Sequence, residues 1–272
     1  MRIVITSRID SKNSIELARS IGWDLQSKGH DIKYETSVAD EIGYSGVSLS
    51  GLTKDNTDLV LILGGDGSVL RAVRLMKNQI PVIGINQGTV GFLTDLDPEY
   101  IDDVLDSLAL PLKVEPRMRM SVEYDGRSLG DSLNEVLIVT NRPAKILDFH
   151  IFVDGKKIEE FRADGIIIGT PTGSTAYAMS AGGPIVDSTI EAILMVPIAP
   201  YMLSSRPYLV NSNKEVIVKL VADKPALLVI DGQDRYDIGE NSSVIIRKSP
   251  EPALFVDIGR DFFDKVGDKL RI

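Results

Sequence analysis

Residues 58–67 read DLVLILGGDG, and this stretch decides the fold class of the chain. The continuous apolar run from Leu59 to Leu63 is typical of a strand that is covered on both faces of a sheet. Two glycines and Asp66 follow at once, and the pattern predicts a helix that begins at Ser68. A buried strand that leads through a glycine-rich loop into a helix is typical of an open, mostly parallel sheet. Such sheets bind ligands at the carboxyl ends of their strands.

The same alternation of strand and helix fills the first third of the chain. Further strands are predicted at residues 3–6, 31–36 and 81–86, with one helix that ends before Gly29 and another that begins at Asp97-Pro98. Residues 37–57 are polar and carry three glycines, so we predict a surface loop there. These elements indicate an N-terminal α/β domain over residues 1–112 with a mostly parallel sheet.

Beyond residue 112 the pattern becomes that of a β-rich domain. Asp125-Gly126 and Asp154-Gly155 are hairpin-turn dipeptides between runs of alternating apolar and polar residues. Further strands are predicted at residues 165–169, 215–220, 226–230, 243–248 and 254–258. We expect a β-rich, β-sandwich-like C-terminal domain over residues 113–258, and a tail, residues 259–272, that packs back on the first domain.

Composition and charge exclude several classes of protein. The chain has 272 residues, no cysteine, and only His30 and His150 as histidines, so disulfides and a zinc site built on these residue types are not expected. A net charge of −9 without a dense run of Lys or Arg argues against binding to nucleic acid. There is no apolar run of roughly 20 residues and no signal-peptide pattern, so we expect no membrane span and a cytoplasmic location.

A carboxylate inside a loop suited to phosphate is the most informative feature of the sequence. Glycines let the backbone approach an anion, and the start of a helix favours negative charge, whereas Asp66 repels a phosphate unless something compensates. A divalent cation compensates, and so does a ligand hydroxyl whose proton the carboxylate accepts. Both fit phosphoryl transfer. The structural alternative is a tight turn in which Asp66 caps the helix.

Three more segments place polar residues at the ends of predicted strands. Asn134-Glu135 opens an apolar run, either as a hydrogen-bonded pair at a site or as a solvated strand end. Thr170–Tyr177 is dense in hydroxyls behind a buried strand, which favours recognition of ribose, amide and phosphate groups, and Tyr177 can stack on a ring. Asp231-Gly232-Gln233 is either a plain turn or a polar pair brought to a site.

Taken together, these segments resemble the NAD kinase family. The resemblance rests on Gly64–Gly67, residues 86–93, Asn134-Glu135, residues 162–165, Pro197–Pro207 and above all Thr170–Tyr177. It implies an enzyme that phosphorylates the 2′-hydroxyl of the adenosine ribose of NAD with ATP or polyphosphate to give NADP. It also implies a nucleotide-binding α/β domain, an NAD-binding β-rich domain with the site between them, and homodimers or homotetramers in which a neighbouring subunit adds contacts.

The resemblance also assigns roles to single residues. Asp66 becomes the general base, Gly67 touches the nucleotide and Arg71 meets a phosphate. Asn134 and Glu135 hold the acceptor nucleotide or the metal. No tightly bound organic cofactor is expected, and the metal ligands stay open, with Mg²⁺ near Asp66 and Glu135 and held mostly through phosphates.

The rest of the dinucleotide site follows from the same resemblance. Its pocket is lined by Thr175, Ala176, Tyr177 and Ser180. The nicotinamide half is contacted by Asp164 and Ala199, and the weaker correspondences are Lys145, Arg162 and Gln233.

Two rivals share parts of this pattern. A lipid or sugar kinase has the same glycine-aspartate loop, although Thr170–Tyr177 argues against it. A non-catalytic dinucleotide sensor would bind NAD(H) or NADP(H) to control a partner, but pure binding gains nothing from two acids near phosphates.

Overall fold

The structure, a computed structural model, describes residues 1–88, 91–94, 96–142, 145–202, 204–221, 224–239 and 241–270. The chain divides into two compact units. The α/β unit comprises Met1–Pro116 and Ala253–Ile272, and the sandwich unit comprises Arg117–Pro252. The division drawn from the sequence fell at residues 112 and 258.

The strands and helices are numbered in chain order. The strands are β1 (Arg2–Ser7), β2 (Asp31–Glu35), β3 (Gly46–Val47), β4 (Leu59–Gly64), β5 (Val82–Asn86), β6 (Val114–Arg117), β7 (Met120–Tyr124), β8 (Arg127–Ser132), β9 (Glu135–Thr140), β10 (Leu147–Val153), β11 (Lys156–Ala163), β12 (Gly165–Gly169), β13 (Ala192–Ile198), β14 (Tyr208–Asn211), β15 (Val216–Leu220), β16 (Ala226–Ile230), β17 (Asp234–Ile238), β18 (Ser243–Lys248) and β19 (Ala253–Val256). The α-helices are α1 (Lys12–Ser27), α2 (Thr36–Ile42), α3 (Asp66–Leu75), α4 (Ile101–Ser107), α5 (Tyr177–Ser180) and α6 (Phe262–Leu270). Short 3₁₀ turns cover Leu49–Gly51, Pro98–Tyr100 and Thr172–Thr175.

The α/β unit is built on a seven-stranded sheet in the order β3-β2-β1-β4-β5-β19-β6. The pairs formed by β1 with β2, β1 with β4 and β4 with β5 are parallel, as predicted. β4 is buried along its whole length because helices and sheet neighbours cover its apolar side chains. Among the described residues, no helix is long and apolar enough to cross a membrane.

Two predictions about this unit were wrong. Residues 37–57 do not form one surface loop, because α2, β3 and a 3₁₀ turn lie there, and Val38, Ala39 and Leu49 are buried. The stretch 254–258 was grouped with the β-rich half, but β19 pairs in parallel with β5 through Phe255 and Val82. The local pattern signals neither placement, because β19 pairs with a strand far away in the sequence, and α2 and β3 depend on packing against β1, β2 and α1.

The sandwich unit consists of two six-stranded sheets, in the orders β11-β10-β15-β18-β7-β8 and β14-β13-β12-β9-β16-β17. Neighbouring strands within these sheets pair in antiparallel fashion. One continuous core contains Phe149 and Ile151 from the first sheet together with Ile138 and Ile166 from the second. This arrangement confirms the predicted fold class, an α/β part with a mostly parallel sheet plus a β-sandwich-like part.

Aspartate-glycine turns close three hairpins of the sandwich unit. In each turn both residues have positive φ, at 50° and 69° for Asp125-Gly126, 48° and 75° for Asp154-Gly155, and 49° and 67° for Asp231-Gly232. Such pairs match the right-handed twist of the strands they connect. The first two hairpins were predicted from the sequence, and the third joins β16 to β17.

Candidate active site

Asp66 is the first residue of α3, directly after β4, at the carboxyl edge of the parallel sheet. Its carboxylate binds the segment that follows the neighbouring strand β5. Oδ2 accepts a hydrogen bond from the backbone N–H of Phe92 at 2.7 Å, and Oδ1 accepts one from Leu93 at 2.9 Å. The hydroxyl of Thr94 donates to Oδ1 at 3.3 Å. Asp66 therefore does not cap its own helix, because Gly65 is the N-cap residue and the Asp66 side chain joins two loops.

The two amides fix the carboxylate in one orientation and still leave it able to accept a proton. An ionised carboxylate offers about four acceptor positions on its two oxygens. Among the described residues, three are taken by Phe92, Leu93 and Thr94, and Oδ2 keeps one. Gly91 makes this approach geometrically feasible, because a Cβ atom built there would overlap Oδ1 of Asp66.

Gly67 and Arg71 lie in the first two turns of the same helix. With Ser7, Arg8 and Ser68 they line a cavity of about 170 Å³ at the ends of β1 and β4. The Arg71 guanidinium is paired with Glu35, with Nη2 and Oε1 3.4 Å apart. The cavity thus combines a helix N-terminus, which favours an anion, with an arginine whose charge is partly offset by Glu35.

In the sandwich unit, Asn134 and Glu135 stand at the start of β9 and are both only 8% exposed. The alternative of a solvated strand end was therefore wrong. Within the part of the chain that the structure describes, Oδ1 of Asn134 and Oε2 of Glu135 accept no hydrogen bond. Buried polar atoms of folded proteins are nearly always paired, so two unpaired buried oxygens on consecutive residues indicate a place for a ligand.

The titration of Glu135 is strongly displaced by its surroundings. Burial and, after it, the negative charge of Asp231 raise the pKa of Glu135 to about 8. A hydrogen bond from the backbone N–H of Tyr177 acts in the opposite direction. The same bond shows that Glu135 and Tyr177, two residues predicted for the site, lie next to each other.

The hydroxyl-rich segment is less open to a ligand than the sequence suggested. Thr170, Ser174 and Thr175 are buried, and their hydroxyls donate to the carbonyls of Leu133, Val186 and Thr172. By contrast, the Tyr177 side chain is 43% exposed, Ser180 is exposed and Ala176 is half-buried. Most of these hydroxyls therefore shape the segment, and Tyr177 is free to stack on a ring. Gln233 lies in the turn between β16 and β17, beside Asp231.

Four predicted residues lie in segments near the opposite end of β12, where β12 follows Asp164. Glu135 pairs with Gly169, at the far end of β12, whereas Asp164 precedes β12 and donates its N–H to Ile198 at 3.0 Å. β12 has five residues, or about 13–17 Å at about 3.3 Å per residue. The residues at this distant end are Lys145, Arg162, Asp164 and Ala199. Within one sandwich unit they are not brought together with Glu135 and Tyr177.

The sequence left two contacts that shape the site undecided. Gly91 lies in residues 86–93, a segment on which the resemblance rests, and together with Thr94 it supports Asp66. Asp231 was considered either as a plain turn residue or as part of a polar pair at a site, and its carboxylate binds the start of β9. The two partners of each contact lie far apart in sequence, so no local pattern signals the pairing itself.

The α/β unit holds a fixed carboxylate in a glycine-rich loop at the carboxyl edge of a parallel sheet. The same chain carries a β-sandwich with buried unpaired oxygens. This combination is that of a two-unit phosphotransferase of the nucleotide-kinase class. Comparison with known proteins agrees with this class. Family models described as the ATP-NAD kinase N-terminal domain and the ATP-NAD kinase C-terminal domain match residues 4–110 and 133–258.

Similar proteins cover the whole chain. A protein named NAD kinase from Methanocorpusculum labreanum is 66% identical over 100% of both chains. Another from Methanoculleus marisnigri is 48% identical over 100% of this chain and 99% of its own. The crystal structure of an NAD kinase from Archaeoglobus fulgidus in complex with ATP has a TM-score of 0.83 at 30% identity, with both chains fully covered. The chain therefore belongs to the NAD kinase family, and it is an enzyme of that family.

Proposed function

We propose that this enzyme transfers the γ-phosphoryl group of ATP to the 2′-hydroxyl of the adenosine ribose of NAD, which gives NADP and ADP. The observation that carries the proposal is the Asp66 carboxylate, which is held by the amides of Phe92 and Leu93 and keeps one acceptor position on Oδ2. Both substrates are solutes of the cytoplasm, so we propose that compartment as its place of action.

The reaction is a displacement at phosphorus. The 2′-oxygen forms a bond to the γ-phosphorus while the bond from that phosphorus to the β,γ-bridging oxygen breaks, and ADP leaves. The proton of the hydroxyl passes to Oδ2 of Asp66, which acts as the general base. Because the amides already hold the carboxylate, little reorganisation accompanies the transfer.

The cavity beside Gly67 and Arg71 is our proposed site for part of the triphosphate. Magnesium enters with the substrate as MgATP, and we assign no ligand of this chain to it. The two carboxylates considered from the sequence fit that role poorly, because Asp66 is bound by N–H donors and the raised pKa keeps Glu135 largely protonated at neutral pH. Mg²⁺ commonly keeps several waters and binds through substrate phosphates.

On the acceptor side, we propose that Asn134 and Glu135 bind hydroxyl groups of NAD with their unpaired oxygens. Tyr177 stacks on a ring of the dinucleotide, and Thr175, Ala176, Ser180 and Gln233 complete this pocket. A carboxyl group with a pKa near 8 can both donate to and accept from a hydroxyl at neutral pH, which suits a diol.

The residues at the distant end of β12 serve, in this proposal, the site of a second copy of the chain. Asp164, Arg162, Lys145 and Ala199 are too far along the strand to join Glu135 within one unit, whereas a homodimer or homotetramer can supply them from a neighbour. Exposed Tyr201, which lies 5.6 Å from the Arg162 guanidinium, would be covered in such an assembly.

The test is formation of NADP by the purified protein from NAD, ATP and Mg²⁺. Parallel reactions replace ATP by polyphosphate and NAD by NADH, which determines the donor and acceptor ranges. NADP formation that requires a phosphoryl donor supports the proposal. Binding of NADP without any consumption of a donor would refute it.

A further inference from the structure

Asp231 is tied to the start of β9 by four hydrogen bonds. Its carboxylate accepts the backbone N–H groups of three successive residues, with distances of 2.8 Å to Leu133, 2.8 Å to Asn134 and 3.1 Å to Glu135. Its own N–H donates to the carbonyl of Glu135 at 3.0 Å. Asp231 is only 5% exposed, so these bonds form away from water, where hydrogen bonds to a charge are strong.

The other side of the same segment is held by Thr170. The hydroxyl of Thr170 donates to the carbonyl of Leu133 at 2.5 Å, and its backbone N–H donates to the carbonyl of Asn134 at 2.9 Å. Gly173 allows this close packing, because a Cβ atom there would overlap the backbone of Asn134. Every N–H and C=O of residues 133–135 thus has a partner from Asp231 or Thr170.

The backbone groups of the segment are therefore all paired, whereas two of its side-chain oxygens are not paired within the described residues. The backbone is fixed from two sides, while Oδ1 of Asn134 and Oε2 of Glu135 have no partner in the described part of the chain. A turn residue alone does not need a carboxylate, since Asn favours the same positive φ and carries no charge. Asp231 instead places a buried negative charge beside Glu135, and the three backbone N–H groups stabilise that charge.

On the basis of the proposed function, we propose that Asp231 is a positioning residue of the kinase site. It holds the Leu133–Glu135 backbone so that the side-chain oxygens of Asn134 and Glu135 meet the hydroxyl groups of NAD. Thr170 completes the clamp from the opposite side. Asp231 does not touch the substrate, and it acts only through these two residues.

The first experiment replaces Asp231 by Asn, which keeps the size of the side chain and the turn. Asp231→Asn removes the ionised acceptor for three N–H groups, and we expect the Kd and KM for NAD to rise about 10-fold or more, which is the order of effect of leaving buried N–H donors without an acceptor. The KM for ATP should change by less than about twofold, since the cavity at Gly67 and Arg71 lies in the other unit. NAD binding is measured by calorimetry and the kinetics by NADP formation.

Asp125→Asn is the matched control. Asp125 occupies the same position of an Asp-Gly turn, with φ of 50°, but its side chain is exposed. It should leave NAD affinity unchanged. Thr170→Val removes the hydroxyl on the opposite side of the segment and should weaken NAD binding in the same direction, which keeps the idea testable if Asp231→Asn folds poorly.

A double-mutant cycle separates positioning from general structural support. In a background that carries Asn134→Ala and Glu135→Gln, adding Asp231→Asn should cause little further loss of NAD affinity, because the groups it positions are gone. An equal further loss in that background, or an Asp231→Asn enzyme with unchanged NAD affinity, would overturn the inference. If the wild-type protein forms no NADP at all, the proposed function fails instead.

Discussion

The backbone N–H of Phe92 donates a hydrogen bond to Oδ2 of Asp66 across 2.7 Å, and the next residue, Leu93, donates to Oδ1. Two loops from neighbouring strands, β4 and β5, are therefore joined through one carboxylate. These hydrogen bonds give Asp66 two roles. They orient its carboxylate for action as a base, and they hold the loop that follows β5 in place. The two roles lead to different expectations for mutants.

Substitution of Asp66 by Asn tests the role as a base. The amide cannot take up the proton of the 2′-hydroxyl, so we expect kcat to fall by about 10² or more, the usual weight of a positioned base. The Kd for NAD should stay nearly unchanged, because the proposed NAD contacts lie in the sandwich unit. Asp97→Asn, a charge change in the loop beyond Thr94, is the control. An Asp66→Asn enzyme with full turnover would contradict the assigned role.

Substitution of Gly91 by Ala tests the contact between the Asp66 carboxylate and the loop that follows β5. The new Cβ atom would overlap Oδ1 of Asp66 and the hydroxyl of Thr94, so the carboxylate must move from its position. We expect kcat to fall about 10- to 100-fold, as for other small displacements of reacting groups. Gly51→Ala, where nothing lies within 4 Å of the added atom, should have no such effect.

The specificity of this effect can be checked in the Asp66→Asn background. There the base is already lost, so Gly91→Ala should reduce the remaining kcat little further. If Gly91→Ala reduces kcat as much in that background as in the wild type, its effect does not pass through Asp66.

Turn and strand chemistry could be predicted from the sequence where it is local. The run from Leu59 to Leu63 is apolar without alternation, so a buried strand leading into the Asp66 loop follows from it alone. The sequence offered a hydrogen-bonded Asn134-Glu135 pair and a solvated strand end as alternatives. It could not decide between them, because Asp231, the acceptor for the backbone N–H of Asn134, is distant in sequence. The strand predicted at residues 254–258, which is β19, was assigned to the wrong unit for the same reason. Its pairing partner, β5, is distant in sequence.

The raised pKa of Glu135 predicts how stability depends on pH. An unfolded glutamate titrates near pH 4.5, and the folded one near pH 8, so the folded state holds the proton more tightly. The stabilising contribution is complete below about pH 4.5 and is lost as the pH rises to 8. It amounts to on the order of a few kcal/mol.

Denaturant unfolding between pH 5 and pH 8 measures this loss. Glu135→Gln carries no titrating group at this position, so its free energy of unfolding should fall less with rising pH than that of the wild type. Relative to Glu135→Gln, the wild type should therefore be most stable toward pH 5, where the unfolded glutamate still holds part of its proton, and should lose this advantage steadily toward pH 8. Parallel curves for both proteins would contradict the raised pKa.

The distance along β12 leads to a prediction about subunits. If Asp66 and Asp164 serve one site from different copies of the chain, Asp66→Asn and Asp164→Asn are each inactive alone but complement each other in a mixed assembly. In a two-fold dimer formed by random exchange, half of the assemblies are mixed and half of their sites carry both wild-type residues. The mixture should then regain about a quarter of wild-type activity.

The control is a mixture of Asp66→Asn with Gly91→Ala, whose altered residues belong to the same carboxylate contact in one chain. Every site of a mixed assembly then contains one damaged contact, so the activity should not exceed the average of the two parents. If the mixture of Asp66→Asn and Asp164→Asn also only averages its parents after subunit exchange, Asp164 does not act across copies. Its place at the far end of β12 would then speak against any role in binding NAD.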